Sequence, residues 1–326
     1  MRDKIGRNID YIRISVTDRC NLRCIYCMPE EGVESIPHSK ILSFDDIIRV
    51  CTVLAKDGLK KIKLTGGEPL VRKGIVNLVR ELKGIDGIES VTITTNGVLL
   101  EEYYDALVQA GIDAITVSLD TLNPVIYEEI TRRNQLEKVL KGLKMAIAKG
   151  GTHIKINCVP VLGIEKQDVM SLVEIARDND VHIRFIEMMP IGLGTQYKFI
   201  TEDELKGLLT AKYGELQPYS GVLGNGPSEY YTVEGFKGKI GFISAVSHKF
   251  CDRCNRVRLT ADGFLKTCLQ YDYGTMLKPM LDEGCTDGEL VKVIEEAIEK
   301  KPKGHSFDKI DEFNGQEHRK MSQIGG

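Results

Sequence analysis

From residue 9 to about residue 187 the chain alternates short β-branched runs with longer segments of helical period, and this alternation limits the fold more than any other feature. The runs IDYIRISVT, KKIKLTG, SVTITTN, AITVSLD, HIKINCVP and VHIRFIE predict six strands. Between them FDDIIRVCTVLAKDG, GIVNLVRELKG, EEYYDALVQAG, QLEKVLKGLKMAIAKG and QDVMSLVEIARDN place apolar residues at i, i+3 and i+4, the spacing of one helical face. Repeated β-α units give an α/β fold, a parallel sheet with right-handed crossovers that is either open and doubly wound or curled towards a barrel. The pattern itself does not choose between them. In both, chemistry is expected beyond the C-terminal ends of the strands. The polar motifs fall there: Thr65-Gly66-Gly67-Glu68-Pro69, Thr94-Thr95-Asn96-Gly97, Ser118-Leu119-Asp120 and Glu187-Met188-Met189. An acidic residue at a strand end also caps helices, so Glu68, Asp120 and Glu187 are read as ligand-contacting or supporting groups or as caps.

After a helix near 201–211, QPYSGVLGNGPSE reads as a linker or long loop, because Gly, Pro, Ser and Asn crowd it. YYTVEG, KIGFISAV and NRVRLTADGFLKTC then read as short strands, with a helix at about 286–300 and a polar tail ending in Gly325-Gly326. A division into residues 1–217 and 218–326 follows from this change of character.

Six of the nine cysteines lie in two tight groups. An odd count and such clustering suit metal ligation better than a disulfide framework. Cys20, Cys24 and Cys27, directly after the first strand, can wrap three corners of a [4Fe–4S] cube and leave its fourth iron open to a ligand. A structural zinc loop is the alternative, although zinc favours a fourth Cys or His. Cys251 and Cys254 are followed after thirteen residues by Cys268. Zinc is a stronger competitor here, since His248 and Cys285 offer a fourth ligand. Arg256 and Arg258, at period two on a strand, suit an anionic ligand better than a zinc knuckle. Cys51 and Cys158 sit in apolar contexts and read as core residues.

Lys and Arg number 44 and Asp and Glu 47, for a net charge of -3, so no general attraction to nucleic acid or membrane is expected. Arg13, Lys63 and Lys155 nonetheless lie inside apolar strands, where an unpaired cation is costly. Each alone can find a carboxylate or snorkel to the sheet end. Together with Arg256 and Arg258 they read as a focused anion site, and no Gly-x4-Gly-Lys-Ser/Thr loop competes for that role. The N-terminal residues carry charges where a secretory signal needs an apolar run, and no segment approaches eighteen apolar residues, so a cytoplasmic protein is expected.

With RISVTDRCNLRCIYCMP, LTGGEPLVR, TTNG, VSLD, RFIEMMP, FCDRCNRVRLTADG and the final Gly-Gly in view, the chain resembles radical S-adenosylmethionine enzymes, and closely the GTP 3′,8-cyclase family of molybdenum cofactor biosynthesis. The first motif indicates only the radical chemistry; the second triad with its Asn255–Arg258 run and the diglycine tail narrow it to the family. The resemblance implies a partial (β/α)6 TIM-like barrel closed by a smaller C-terminal region with a second [4Fe–4S] cluster, and GTP lying between the clusters. It assigns Tyr26, Gly67, Ser118 and Met189 to S-adenosylmethionine, and Arg13, Lys63, Thr94, Lys155 and Arg256, Val257 and Arg258 to GTP, with Lys61 as an addition. It makes Cys20, Cys24, Cys27, Arg256 and Arg258 the catalytic set and all six clustered cysteines iron ligands. Many relatives carry Arg where this chain has Lys63, which keeps the charge but loses the planar fork. The implied partners are GTP, an electron donor such as flavodoxin or ferredoxin, and the cyclic pyranopterin monophosphate synthase that takes the product, with no nucleic acid and no membrane, in a monomer or homodimer. Two other readings stay open: a peptide-modifying radical enzyme with an auxiliary cluster, and a zinc-stabilised binding protein without catalysis.

Overall fold

A computed structural model describes residues 1–198, 200–307, 317 and 319–325. The six expected strands are present as β1 (Tyr11–Ser15), β2 (Lys61–Thr65), β3 (Ser90–Thr95), β4 (Ala114–Ser118), β5 (His153–Cys158) and β6 (His182–Ile186), all parallel to their neighbours. The C-terminal half adds β7 (Gln217–Tyr219), β8 (Glu229–Thr232), β9 (Ile240–Ile243), β10 (Arg256–Leu259), β11 (Phe264–Lys266) and β12 (Gly274–Met276). They join the same sheet, in the order β12-β11-β10-β1-β2-β3-β4-β5-β6-β9-β8-β7. β10 runs parallel to β1 and β9 parallel to β6, so the later segment extends both edges of the first six strands.

Each central strand alternates. Ile12, Ile14, Ile62, Leu64, Val91, Ile93, Ile115, Val117, Ile156 and Phe185 join one continuous core with the helices. Residues of the opposite parity, among them Arg13, Lys63, Thr92, Thr116, Lys155 and Arg184, line a cavity. A parallel sheet covered by helices on both faces reads as continuous apolar runs; here one face is polar because it surrounds a site. The helices start where the sequence supplies caps: Ser43 with Asp46, Thr201 with Glu204 and Thr286 with Glu289 each close a capping box, opening the helices Phe44–Lys56, Glu202–Tyr213 and Asp287–Glu299.

The structure adds three features to the sequence reading. The core runs without a break from Leu209 through Val233, Ile240 and Val257 to Ile294, so the two halves share one interior. The supposed linker opens with β7, and its residues 222–227 turn back to line the cavity, where Asn225 Nδ2 donates to Ser90 Oγ at 2.9 Å. A helix at Pro124–Thr131 was not anticipated, although Asn123-Pro124, a cap followed by proline at the first helical position, is its signal.

Candidate active site

β1 ends at Ser15, and the loop beyond it carries Cys20, Cys24 and Cys27. The turn after β2 lies against this loop: the Gly67 amide donates to the Thr17 carbonyl at 2.7 Å and the Glu68 amide to that of Arg19 at 2.8 Å. Helix Pro124–Thr131 holds the other side, its Ile130 and Thr131 carbonyls accepting from the amides of Ile25 and Arg23, both at 2.9 Å. Inside the loop the Cys27 amide donates to the Cys24 carbonyl at 2.9 Å and the Leu22 amide to Cys20 Sγ at 3.4 Å. Burial pushes the Cys20 thiol up to about 11 and Cys27 up to about 12, and holds Cys24 well above the ordinary thiol range. After burial, the charges of Cys27, Asp120 and Cys20 raise Cys24 further. Thiolates gathered this way need metal charge beside them.

Tyr26, Gly67, Ser118 and Met189 all line the cavity with this triad. Tyr26 donates from its hydroxyl to Asp120 Oδ2 at 2.8 Å, and Asp120 Oδ1 accepts from the Val159 amide at 2.8 Å; burial raises this carboxyl to about 6. Glu68, raised by burial to about 7, accepts from the Leu70 amide at 3.0 Å, the Thr95 hydroxyl at 2.7 Å and the Asn96 amide at 2.6 Å. It therefore caps a short helix and ties the loops after β2 and β3 together. Glu187 accepts from the Val246 and Ser247 amides at 2.8 and 2.9 Å and links β6 to the C-terminal half.

Gly67 leaves no room for a side chain. A Cβ would overlap the Arg19 carbonyl and come within 2.7 Å of the Asp18 oxygen, both fixed backbone atoms. Gly67→Ala is expected to cost about 1–3 kcal/mol by overpacking and to lower both iron retention by the first triad and S-adenosylmethionine binding. Iron content and ligand titration check this, and wild-type values for both would contradict it.

The strand register gathers the cations. Arg258, Arg13, Lys63 and Thr92 are successive partners across β10, β1, β2 and β3. Thr94, Thr116, Lys155 and His182 form a second row across β3 to β6. Arg184, opposite Asn157, is a further buried cation that sequence reasoning missed, although it stands at period two from His182 within VHIRFIE. Among the described residues Lys63, Lys155, Arg184 and Arg258 have no carboxylate partner. Lys155 donates instead to the Leu223 carbonyl, Arg184 to Thr116 Oγ1 at 3.1 Å and Arg258 to the Gly325 carbonyl at 2.6 Å. Two expected contacts are not brought to this surface. Lys61 pairs with Asp10 at 3.0 Å and is not among the residues that line the cavity. Val257 is buried in the core, because period two turns its side chain away from the face that Arg256 and Arg258 share.

Burial, helped by Arg184, lowers Lys155 to about 8, and burial with Arg184, Arg13 and Lys155 takes Lys63 well below its usual value. A bound phosphate favours the charged lysine. As pH rises through about 8 the free protein loses the Lys155 proton, and binding must then recover it. Affinity for a nucleoside triphosphate is therefore expected to fall above pH 8, and Lys155→Met to flatten that part of the profile. Equilibrium binding at pH 7 to 9 checks this, and the same slope in the variant would contradict it.

The second triad forms at the other end of β1. Cys251 and Cys254 bracket one helical turn, with the Cys254 amide donating to the Cys251 carbonyl at 3.1 Å. β10 then leaves beside β1, with Arg256 opposite Tyr11. β11 returns antiparallel, with Lys266 opposite Arg258, and delivers Cys268 to the end it started from. The two triads thus flank β1, whose five residues span roughly 16 Å. Both line one cavity of about 690 Å³. Burial works to raise the Cys254 thiol, but Lys301 and Arg256 outweigh it and bring it down to about 7. The His305 amide donates to Cys251 Sγ at 3.5 Å. His248 is exposed, and neither it nor Cys285 lines the cavity, so the zinc-completing groups are not brought to this triad. Among the described residues no three Cys, His, Asp or Glu side chains are placed to hold a single ion; thiols that each take a different iron of a cube need not converge on one point. The donor sets fit two such clusters.

The C-terminal segment closes over both features. The Ser322 amide donates to the Cys27 sulfur, the Gly325 carbonyl accepts from Arg258, and Ile324 packs with Ile191 and Phe307. Gly326 lies outside the described residues.

Residues 14–176 match the family model of the radical SAM superfamily. With the first triad and a parallel sheet ending at it, this defines a radical S-adenosylmethionine enzyme. Residues 181–307 match a second model, Molybdenum Cofactor Synthesis C. Curated proteins named GTP 3′,8-cyclase are 46% identical in Petrotoga mobilis, 42% in Clostridium perfringens strain 13 and 42% in Listeria monocytogenes EGD-e, each covering all of this chain and 99–100% of the relative. The chain belongs to the GTP 3′,8-cyclase family. Two [4Fe–4S] clusters and S-adenosylmethionine are its cofactors. Among solved structures, Streptococcus suis SuiB bound to S-adenosylmethionine superposes with a TM-score of 0.61 at 17% identity, over 90% of this chain and 68% of that one. SuiB bound to the precursor peptide SuiA gives 0.61 at 16% identity, over 94% and 68%. These likenesses show the fold. Among the described residues no helix is long and apolar enough to cross a membrane.

Proposed function

We propose that this chain converts GTP to (8S)-3′,8-cyclo-7,8-dihydro-GTP, the first step of molybdenum cofactor biosynthesis. One observation carries the reading: two thiol triads stand at opposite ends of β1, and the strand face between them bears Arg13, Lys63 and Arg258, with Arg184 and Lys155 further along the sheet. A tetra-anionic triphosphate is the substrate class that such a wall of buried cations suits.

In this reading the sheet is a partial (β/α)6 barrel, residues 1–217, closed by residues 218–326. Cys20, Cys24 and Cys27 hold the first cluster, which when bound supplies the electron that splits S-adenosylmethionine into methionine and a 5′-deoxyadenosyl radical. Tyr26, Gly67, Ser118 and Met189 hold and orient that cofactor. Cys251, Cys254 and Cys268 hold the second cluster. Arg13, Lys63, Thr94, Lys155, Arg184, Arg256 and Arg258 fix GTP so that its C3′ hydrogen faces the radical, and the newly opened C3′ then bonds to C8 of the guanine. One electron and one proton complete the product. The loop 222–227 shuts the far end of the cavity and excludes water. The protein works in the cytoplasm as a monomer or homodimer, takes electrons from a flavodoxin or ferredoxin, and passes its product to cyclic pyranopterin monophosphate synthase.

Isotopic transfer tests the chemistry. GTP deuterated at C3′ is expected to deliver deuterium to 5′-deoxyadenosine, read by mass spectrometry. Unlabelled 5′-deoxyadenosine formed alongside turnover would sink the proposed site of hydrogen removal.

A further inference from the structure

After helix Asp287–Glu299 the chain crosses back over the second triad, and Lys301 enters the cavity wall there, 5% exposed. Its ammonium donates to the Arg256 carbonyl at 2.9 Å and to the Thr267 carbonyl. Arg256 lies two residues after Cys254, and Thr267 immediately precedes Cys268. One side chain therefore bridges the two segments that carry these thiols, which the β10–β11 hairpin otherwise separates.

A second cation braces the same loop from outside. Arg7 donates to the Cys251 carbonyl at 2.8 Å, and to the Pro302 and Lys303 carbonyls at 2.8 and 3.0 Å. Its charge is answered by Asp3, whose carboxylate accepts from Arg7 Nε at 2.5 Å. Lys301 has no such counterion: among the described residues no carboxylate pairs with it. An ammonium buried among carbonyls alone is costly, so negative charge is expected beside it. The groups of that sign acting on Lys301 are Cys254 and Cys268, and Arg7 and Arg256 are the like charges that face it.

We infer that Lys301 is a positioning residue for the second iron–sulfur cluster: it joins the two halves of the thiol loop and offsets the charge of the cluster they hold. The inference rests on the reading of Cys251, Cys254 and Cys268 as cluster ligands. A fixed cation next to a cluster favours its reduced form, which carries one more electron. Removing the charge makes the cluster harder to reduce.

The test uses the full-length chain with Cys24→Ala, so that the second cluster alone reports, reconstituted anaerobically and followed by electron paramagnetic resonance during redox titration. Lys301→Met is expected to shift the reduction equilibrium at least tenfold towards the oxidised form, about 59 mV for one electron, or to lose the cluster's four irons with circular dichroism unchanged. Lys301→Arg is expected to restore iron content and to bring the potential back towards that of the parent. If Lys301→Met does not fold, Lys301→Gln, which keeps a donor for the carbonyls without the charge, decides by the same potential shift. A parent-like potential and iron content in the neutral variant would overturn the inference. A parent chain with no iron at this triad would instead overturn the reading of the ligands.

Discussion

Cys24→Ala is expected to abolish reductive cleavage of S-adenosylmethionine, lowering 5′-deoxyadenosine formation by more than about a thousandfold, the order lost when a residue on which the chemistry depends is removed. Cys24 is the middle cysteine of the first triad in the chain, and its carbonyl accepts from the Cys27 and Met28 amides at 2.9 and 3.0 Å. Loss of one of three thiolates leaves two, too few to hold a cube whose fourth iron must stay open. Iron is expected to fall from about eight to about four per chain, with the remainder at the second triad. The two hydrogen bonds to the Cys24 carbonyl do not involve its thiol, so the fold is expected to survive. Iron analysis and a dithionite-driven cleavage assay check both parts. Retained cleavage would remove Cys24 from the ligand set.

Cys268→Ala separates the two triads. Iron is again expected to fall to about four per chain, but the remaining cluster is now the one that meets S-adenosylmethionine. Conversion of GTP should drop by at least about a hundredfold, on the scale of losing a precisely oriented substrate contact, and GTP affinity should weaken with it. Slow cleavage of S-adenosylmethionine uncoupled from GTP should persist. Wild-type GTP affinity and turnover would exclude Cys268 as a ligand near the substrate.

The strands were legible because each pairs an apolar face with a polar one, and period two carries over directly from sequence to structure. The same rule put Lys61 and Lys63 on one face but did not say which of them meets the cavity. That depends on Asp10, which takes Lys61 only because the start of β2 lies beside the end of the preceding segment in space. Arg184 was hidden for a related reason. A lone arginine in an apolar strand is ordinary, and it joins the other cations that line the cavity only when β5 and β6 pair and set it opposite Asn157. The loop 222–227 read as a linker since Gly and Pro mark irregular backbone without saying where it goes; its contact with Lys155 joins residues far apart in the chain. Both thiol triads were visible from spacing. That they flank one strand was not, because it follows from the parallel pairing of β10 with β1 and the antiparallel return of β11.

This placement is the reason the second triad matters as much as the first. The first stands beyond the C-terminal end of β1, while the second, with Lys301, Arg256 and Arg258 beside it, lines the same cavity from the other end of that strand. Their joint test is the anaerobic reaction of the reconstituted wild-type chain with S-adenosylmethionine and reductant, with and without GTP. The expected result is that GTP stimulates 5′-deoxyadenosine formation and is itself converted to a cyclised nucleotide of the same mass as GTP, because the hydrogen atom removed at C3′ is balanced by the one electron and one proton added. Formation of 5′-deoxyadenosine at the same rate without GTP, and recovery of GTP unchanged, would contradict it.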